Sequence, residues 1–454
     1  MAKLLKQTQG PVQQLAVLRH DTAGIDVGSM LMMVSYTDTC GNQCLAESTG
    51  FTSDIIALAK TLKESGVKHV AMEATGVYWM SFYEVLENHG LEVILTNPRH
   101  FKNVAAQKTD VKDCQWIHQL HAHGLLRASH IATEVYRELK SYLHERTILQ
   151  KQKSDTLNRI HRVLTLMNIK VQHLISDIEG VAGMQLLRAI AGGIQDAKQL
   201  LGMINIKALK ATAEDLELSL QGFYKEQFVS ILGHQLAAYD FYKAEMKAYE
   251  TLIEKVLIKL LGEEQDALKP VARKTKYVRK NQYSINLKEY LQRILGTDVT
   301  QVDGLDEISV LEIMSVTGKE MQKWPTAEHF VSWLNLDPRP KKSGGKMLGH
   351  QKRFTSNVAT QAFRMAAQTM WSNKGALGQL YRRLAAKKGA KIAIKAVARK
   401  LAVIYYHMVK NKSTFDKQRL QMDPRQDERR KIAKIRKMAE RYGFGLQPIT
   451  VTSL

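Results

Sequence analysis

The stretch Ala23-Gly24-Ile25-Asp26-Val27-Gly28-Ser29 constrains this chain more than any other. It is short, apolar and bounded by small residues, so it reads as a strand with a carboxylate set inside it. A buried aspartate without a partner is costly, so the fold must bring it a ligand or a hydrogen-bond network. Leu31-Met32-Met33-Val34-Ser35-Tyr36 reads as the next strand, and a third around Leu45 to Ser48 follows the turn at Cys40-Gly41-Asn42. Tight turns between three such runs predict an antiparallel meander. Asp54 to Ser65 has helical spacing and stops at Gly66, and Lys68 to Glu73 is a fourth strand. Val77 to His89 is a helix closed by Gly90, and Leu91 to Leu95 a fifth strand. Helices and strands alternating after a meander predict a mixed sheet with helices packed on it.

Glu73 repeats the oddity of Asp26, because it ends an apolar strand and is followed by Ala74-Thr75-Gly76. Two more acids stand in Lys108-Thr109-Asp110-Val111-Lys112-Asp113-Cys114-Gln115-Trp116, at the head of a predicted helix. Asp110 and Asp113 would share a helix face. Taken alone, such a pair suits the solvated first turn of a helix, where acids oppose the dipole. Four acids at element ends invite another reading. If the first and fourth strands are neighbours, Asp26, Glu73, Asp110 and Asp113 can converge. Such a set would bind hard divalent cations, most naturally Mg²⁺. A two-metal site of this kind serves phosphoryl transfer on a nucleic-acid backbone.

The charge balance agrees. Lys plus Arg number 66 against 44 for Asp plus Glu, a formal charge of +22 over 454 residues. That excess favours a polyanionic partner. A membrane is the rival, but the chain has no apolar run of roughly 18 residues, and Met1 to Gly10 lacks the core of a signal peptide. Three cysteines argue against a disulfide framework and fit a reducing cytoplasm. Cys40 and Cys44 have no second pair, which argues against zinc. His118, His121 and His123 read as ordinary helix-surface histidines before metal ligands.

From about 130 to 275 proline and strand signals nearly vanish. Leu139, Leu143, Ile148, Leu157, Ile160, Val163, Leu164 and Leu166 form a helical stripe. Arg137, Lys140, Arg146, Lys151, Lys153, Arg159 and Arg162 interleave with it, and a second helical block runs from about Gln227 to Leu261. This predicts a long antiparallel arm whose apolar face dimerises and whose basic face meets nucleic acid. Ala272 to Asn281 is a basic connector.

In the second half, Ile294 to Leu305 and Leu311 to Gly318 resemble two short helices around glycine turns. Such a hairpin either holds a nucleic-acid backbone or only packs. The segment from Trp333 through Pro338-Arg339-Pro340-Lys341-Lys342-Ser343-Gly344-Gly345-Lys346 is sharper. Its glycines let a backbone approach a phosphate, and its lysines would hold one. A serine nucleophile needs a base or metal to activate it. The residues alone leave Ser343 either as that nucleophile or as one contact of a flexible phosphate-binding loop. Downstream, Tyr381 to Arg441 carries 20 basic residues against 5 acidic ones, which favours phosphate contact over a solvated face. Residues 427–442 read as a helix.

Gly24 to Ser29, Met72-Glu73-Ala74-Thr75-Gly76, Asn97-Pro98-Arg99 and Lys108 to Asp113 together resemble the RuvC-like half of a transposase family. It is insertion-sequence family one-hundred-ten, including its eleven-eleven subgroup. The resemblance extends over roughly 22–412. Ser343-Gly344-Gly345-Lys346, Gly349, Lys352-Arg353 and the helix from Asn357 resemble that family's C-terminal half. The family's downstream Ser-Lys-Gly is replaced here by Gln351-Lys352-Arg353-Phe354, which leaves Ser343 the better candidate and Ser356 the lesser.

The resemblance implies a DEDD acid set (Asp26, Glu73, Asp110, Asp113) on a ribonuclease-H-type fold, with Ser343 as nucleophile and a phosphoserine intermediate. The expected architecture is α/β followed by mostly α. It comprises a flexible lead-in (1–21), a RuvC-like catalytic domain (22–130), a helical coiled-coil region (131–281), a C-terminal transposase domain (282–412) and a basic tail (413–454). Expected nucleic-acid contacts are Lys108, Lys112, Lys341, Lys342, Gly344, Gly345, Lys346, Lys352, Arg353, Arg382, Arg383, Lys387 and Lys388. Expected partners are donor and target DNA, a noncoding bridge RNA and further copies of the chain, as a dimer or dimer of dimers. In such an assembly the serine and the acids would meet through tertiary folding or across subunits. The expected location is the bacterial cytoplasm, at the nucleoid. The alternative is a metal-only RuvC-like resolvase or nuclease, and a third, weaker class is a non-catalytic scaffold.

Overall fold

Side-chain alternation decides the sheet. In β1 (Thr22–Val27), Ala23, Ile25 and Val27 enter one apolar core, so Thr22, Gly24 and Asp26 belong to the opposite face. The computed structural model describes residues 16–74, 76–96, 109–206, 209–262, 281–338, 340–350, 357–417 and 424–445. The chain divides into two units, residues 1–131 and 132–454.

In the first unit β1 is joined by β2 (Leu31–Thr37), β3 (Gln43–Thr49), β4 (His69–Glu73) and β5 (Glu92–Thr96). The order is β3-β2-β1-β4-β5, with β1, β2 and β3 antiparallel and β1, β4 and β5 parallel. The expected meander and mixed sheet are both present. The β2–β3 turn is fixed by Asp38, whose carboxylate accepts from the Cys40 and Asn42 backbone N–H groups and the Asn42 amide. Those bonds, the Asn42 amide foremost, hold its carboxyl below the usual range.

Helices α1 (Thr52–Glu64) and α2 (Trp79–Asn88) bury Ile55, Leu58, Leu62, Phe82 and Leu86 against the Ala23–Ile25–Val27 face. Helix α3 (Asp110–Ala122) takes the other face. Gly24 permits this: a Cβ there would stand 2.3 Å from the His118 amide N and 2.6 Å from the Cys114 carbonyl O. The lead-in does not stay loose up to residue 21. The Leu18 and Arg19 N–H groups both donate to the Ala122 carbonyl, and the Asp21 carbonyl accepts from Lys68 and His69.

In the second unit α4 (Glu134–Leu166) and α9 (Glu226–Leu261) are 33 and 36 residues long, about 50 Å each. They run antiparallel, since Glu138 pairs with Lys259 and Arg146 with Glu250. Between them α5 (Val171–Leu174), α6 (Val181–Ala191), α7 (Ala197–Gly202) and α8 (Ala213–Leu220) form a separate core at one end of the pair. At the other end Tyr136, Leu139, Leu143, Ile253 and Leu257 share the core of the C-terminal helices. These are α10 (Leu287–Leu295), α11 (Glu307–Thr317), α12 (Ala327–Trp333), α13 (Val358–Gln368), α14 (Ala376–Lys388) and α15 (Ala390–Asn411). A hairpin of β6 (Pro340–Ser343) and β7 (Lys346–His350) precedes α13, and α16 (Pro424–Arg441) follows α15.

One expectation for this unit changes, and one open alternative narrows. Arg146 and Lys153 are not part of a basic nucleic-acid face. Both are buried, with Arg146 bonded to Glu250 at 2.6 Å and Lys153 to Glu179 at 3.1 Å. Lys140, Lys151, Arg159 and Arg162 remain exposed. The glycine at the α10–α11 turn is explained by packing: Gly304 has a positive φ, and a Cβ would meet Met370 Cε at 2.7 Å and the Ala366 carbonyl at 2.9 Å. Asp306 caps α11 by accepting from Ser309 N–H, which puts a carboxylate where a phosphate would have to sit.

Candidate functional site: a carboxylate edge and a serine hairpin

The parallel ladder places the first two acids side by side. Gly24 pairs with Ala71 and Ile25 with Met72, so the next step sets Asp26 beside Glu73 at the carboxyl ends of β1 and β4. Both belong to the α3 face, because Ala71, two residues before Glu73, packs with Ile117 of α3. Asp26 is half-buried and Glu73 buried. Asp110 and Asp113 stand in the first turn of α3, exposed and half-buried respectively. Thr109 caps that turn, its hydroxyl accepting from Lys112 N–H.

Cys114 shows how these elements close. Its thiol is buried and pushed up to about 11, by burial first, then by the charge of Asp26, with a smaller push from Asp113. One carboxylate from the sheet and one from α3 therefore act on the same sulfur. The thiol stays neutral and donates to the Val111 carbonyl at 3.1 Å. Behind it, Ser35 Oγ and Thr37 Oγ1 bond the two ring nitrogens of His118 at 3.0 and 3.2 Å.

His118 and His121 are core residues, not the helix-surface histidines expected from sequence, with exposures of 4% and 2%. Burial lowers both to about 4. In the unfolded chain they titrate near 6.5, so between about 4 and 6.5 the unfolded state binds more protons. Their contribution is complete above pH 6.5 and is lost as pH falls toward 4, by about 3 kcal/mol per histidine at most. Urea midpoints measured from pH 7.5 to 4.5 are expected to fall, and His118→Asn to flatten that slope.

The donor set fits a hard divalent cation. It offers carboxylate oxygens and a neutral thiol, hence no soft anionic ligand. The buried Thr96 hydroxyl, in register with Glu73, has no hydrogen-bond partner among the described residues. Among the described residues no three His, Cys, Asp or Glu side chains already converge as a metal cluster. The fold thus brings Asp26 next to Glu73 and gives Asp26 and Asp113 a common neighbour, without closing all four acids on one point.

Ser343 lies at the tip of a tight hairpin, not in a flexible loop. It pairs with Lys346 across Gly344 and Gly345, whose φ values of 54° and 76° make the two-residue turn that only glycine-like residues adopt easily. Ser343 and Lys346 are exposed. Lys112 is exposed on α3, and Lys387 and Lys388 are exposed in the last turn of α14, where cations suit the dipole. Arg383 is exposed, while Arg382 donates to the carbonyls of Trp371 and Asn373 at 3.1 and 2.7 Å. Lys108, Lys352, Arg353, Ser356 and the Asn97-Pro98-Arg99 segment lie outside the described residues, as do the side chains of Lys341 and Lys342. Sequence reading passed over Gly24, Thr96 and Cys114. Gly24 had one local signal, a glycine alternating with the core face of a strand.

A mixed five-stranded sheet with two acids at adjacent parallel strand ends is compatible with an RNase H/RuvC-like α/β unit, a class that works on polynucleotides. Two family profiles match the chain and together take in about half of it. One, a DEDD transposase of IS110 elements, matches residues 23–169, and the other, a transposase of the IS116/IS110/IS902 family, matches 297–382. The chain belongs to the IS110 family of DEDD transposases. The first match contains all four acids and the second contains Ser343. No curated protein matches the chain. Among the described residues no helix is long and apolar enough to cross a membrane.

Proposed function

We propose that this transposase cuts and rejoins DNA by attack of Ser343 on a backbone phosphate, assisted by Mg²⁺ held by Asp26, Glu73, Asp110 and Asp113. The observation that carries the reading is the register that sets Asp26 beside Glu73 on the face taken by α3. Mg²⁺ bound there would supply charge to the attacking and departing oxygens of a phosphoryl transfer. Ser343 supplies the nucleophile. A P–O bond forms to its Oγ while the bond from phosphorus to the departing sugar oxygen breaks. The hydroxyl proton lost is matched by the proton that sugar oxygen gains. The phosphoserine keeps the bond energy, so a new strand end can reverse the step without an outside energy source.

Lys346, paired across the hairpin from Ser343, offers an ammonium to the attacked phosphate. Lys112, Lys387 and Lys388 are exposed cations available to DNA or RNA backbones, and Arg383 is exposed near the last two in sequence. A bridge RNA pairing with donor and target DNA, and assembly as a dimer or dimer of dimers, complete the reading. Family membership supports both, and the charge of +22 permits the RNA.

Covalent trapping tests this. Protein, RNA, Mg²⁺ and labelled DNA are combined and run on a denaturing gel. A slow protein–DNA band is expected, and Ser343→Ala is expected to remove it together with all strand cleavage. Free cut strands that persist in Ser343→Ala would instead show a metal-only nuclease.

A further inference from the structure

We propose that Thr96 is a positioning residue of the carboxylate edge: its hydroxyl donates a hydrogen bond to the Glu73 carboxylate when that carboxylate takes up a divalent cation. Thr96 ends β5 directly across from Glu73 in the parallel ladder. The backbone holds the pair in place on both sides, because Leu95 pairs with Met72 and Ala74 N–H donates to the Thr96 carbonyl at 3.1 Å. Both side chains project to the α3 face, since the preceding same-face pair, Ala71 and Ile94, packs with Ile117. Neighbours in register on one face stand about 5 Å apart at Cβ, within hydrogen-bonding reach for a hydroxyl and a glutamate.

Thr96 is fully buried, and among the described residues its Oγ1 has no hydrogen-bond partner. A buried hydroxyl left unbonded costs stability, and valine would fill the same space without that cost. Such a group stands beside a carboxylate in order to serve a state in which that carboxylate is drawn into place. Groups that bond a metal's ligands orient them and raise their affinity. Thr22 supplies an internal control. Its Oγ1 is also buried, on the same face and without a hydrogen-bond partner among the described residues, but Thr22 stands in register with His69 at the far end of β1, four residues from Asp26.

The inference rests on the reading of the four acids as a cation site, and the test keeps the two apart. Full-chain protein without nucleic acid is titrated with Mn²⁺ and free ion is followed by electron paramagnetic resonance. Wild type is expected to bind, and Asp26→Asn to lose binding. Thr96→Val is expected to weaken affinity about 10-fold, and Thr96→Ser to stay within about twofold of wild type. Thr22→Val should leave affinity unchanged. In the absence of metal both valine variants should melt at or above the wild-type temperature. Thr96→Val binding as tightly as wild type, or Thr22→Val losing as much, would overturn the role of Thr96. Wild type that binds no Mn²⁺, or binds it undiminished in Asp26→Asn, would overturn the cation site itself and Thr96 with it.

Discussion

Asp26→Asn is expected to abolish strand cleavage, by about a thousandfold or more, while DNA binding and the fold survive. Metal-assisted stabilisation of a phosphoryl transfer is worth several kcal/mol, and each 1.36 kcal/mol is a factor of ten in rate. Asparagine keeps the size of Asp26 and removes its charge. The site tolerates this because Asp26 is half-buried at a strand end, while Ala23, Ile25 and Val27 carry the packing. Glu73→Gln should behave alike, since the two acids occupy equivalent positions on neighbouring strands. Cleavage and gel-shift assays on the same preparations check both halves. A variant that binds DNA but does not cut supports catalysis by the acids. One that cuts at the wild-type rate would remove Asp26 from the chemistry and leave the second half of the chain to carry it.

What made Asp26 and Glu73 legible was local. Each interrupts an apolar run, and the parity of a strand settles its face once one neighbour is known to be core. What hid the rest was long-range. Buried Cys114, Ile117, His118 and His121 follow helical spacing, yet cysteine and histidines do not announce a core face. Gly24 makes sense only when α3 lies across it. The serine hairpin was missed because lysines are poor strand formers, and Gly344-Gly345 reads equally as a loop or as a two-residue turn. Charges on α4 were the most misleading. A sequence shows that Arg146 recurs with other bases along a helix. It does not show that a glutamate from a helix 104 residues away will meet it.

That meeting predicts the largest stability effect in the chain. Glu250→Ala is expected to destabilise the second unit by about 3–5 kcal/mol, because it strands the Arg146 guanidinium in the interior. Arg146 is 3% exposed, donates to Glu250 Oε1 through Nε at 2.9 Å and Nη2 at 2.6 Å, and lies 3.7 Å from the centre of the Tyr283 ring. Glu250 Oε2 also accepts from the Ser284 backbone N–H at 2.8 Å and its hydroxyl at 2.5 Å, so one carboxylate ties α4, α9 and the lead into α10 together. Breaking one partner costs far more than replacing both. Arg146→Met with Glu250→Leu should recover most of the loss, because an ion pair of this kind barely offsets its own desolvation. Arg188→Ala, at the Arg188–Asp240 pair whose side chains are 54% and 46% exposed, is the surface control and should cost about 1 kcal/mol or less. Urea denaturation of the three variants decides the matter. If Glu250→Ala unfolds no more easily than Arg188→Ala, the interior pair is solvated in solution, and Arg146 returns to the set of bases available to a nucleic-acid backbone.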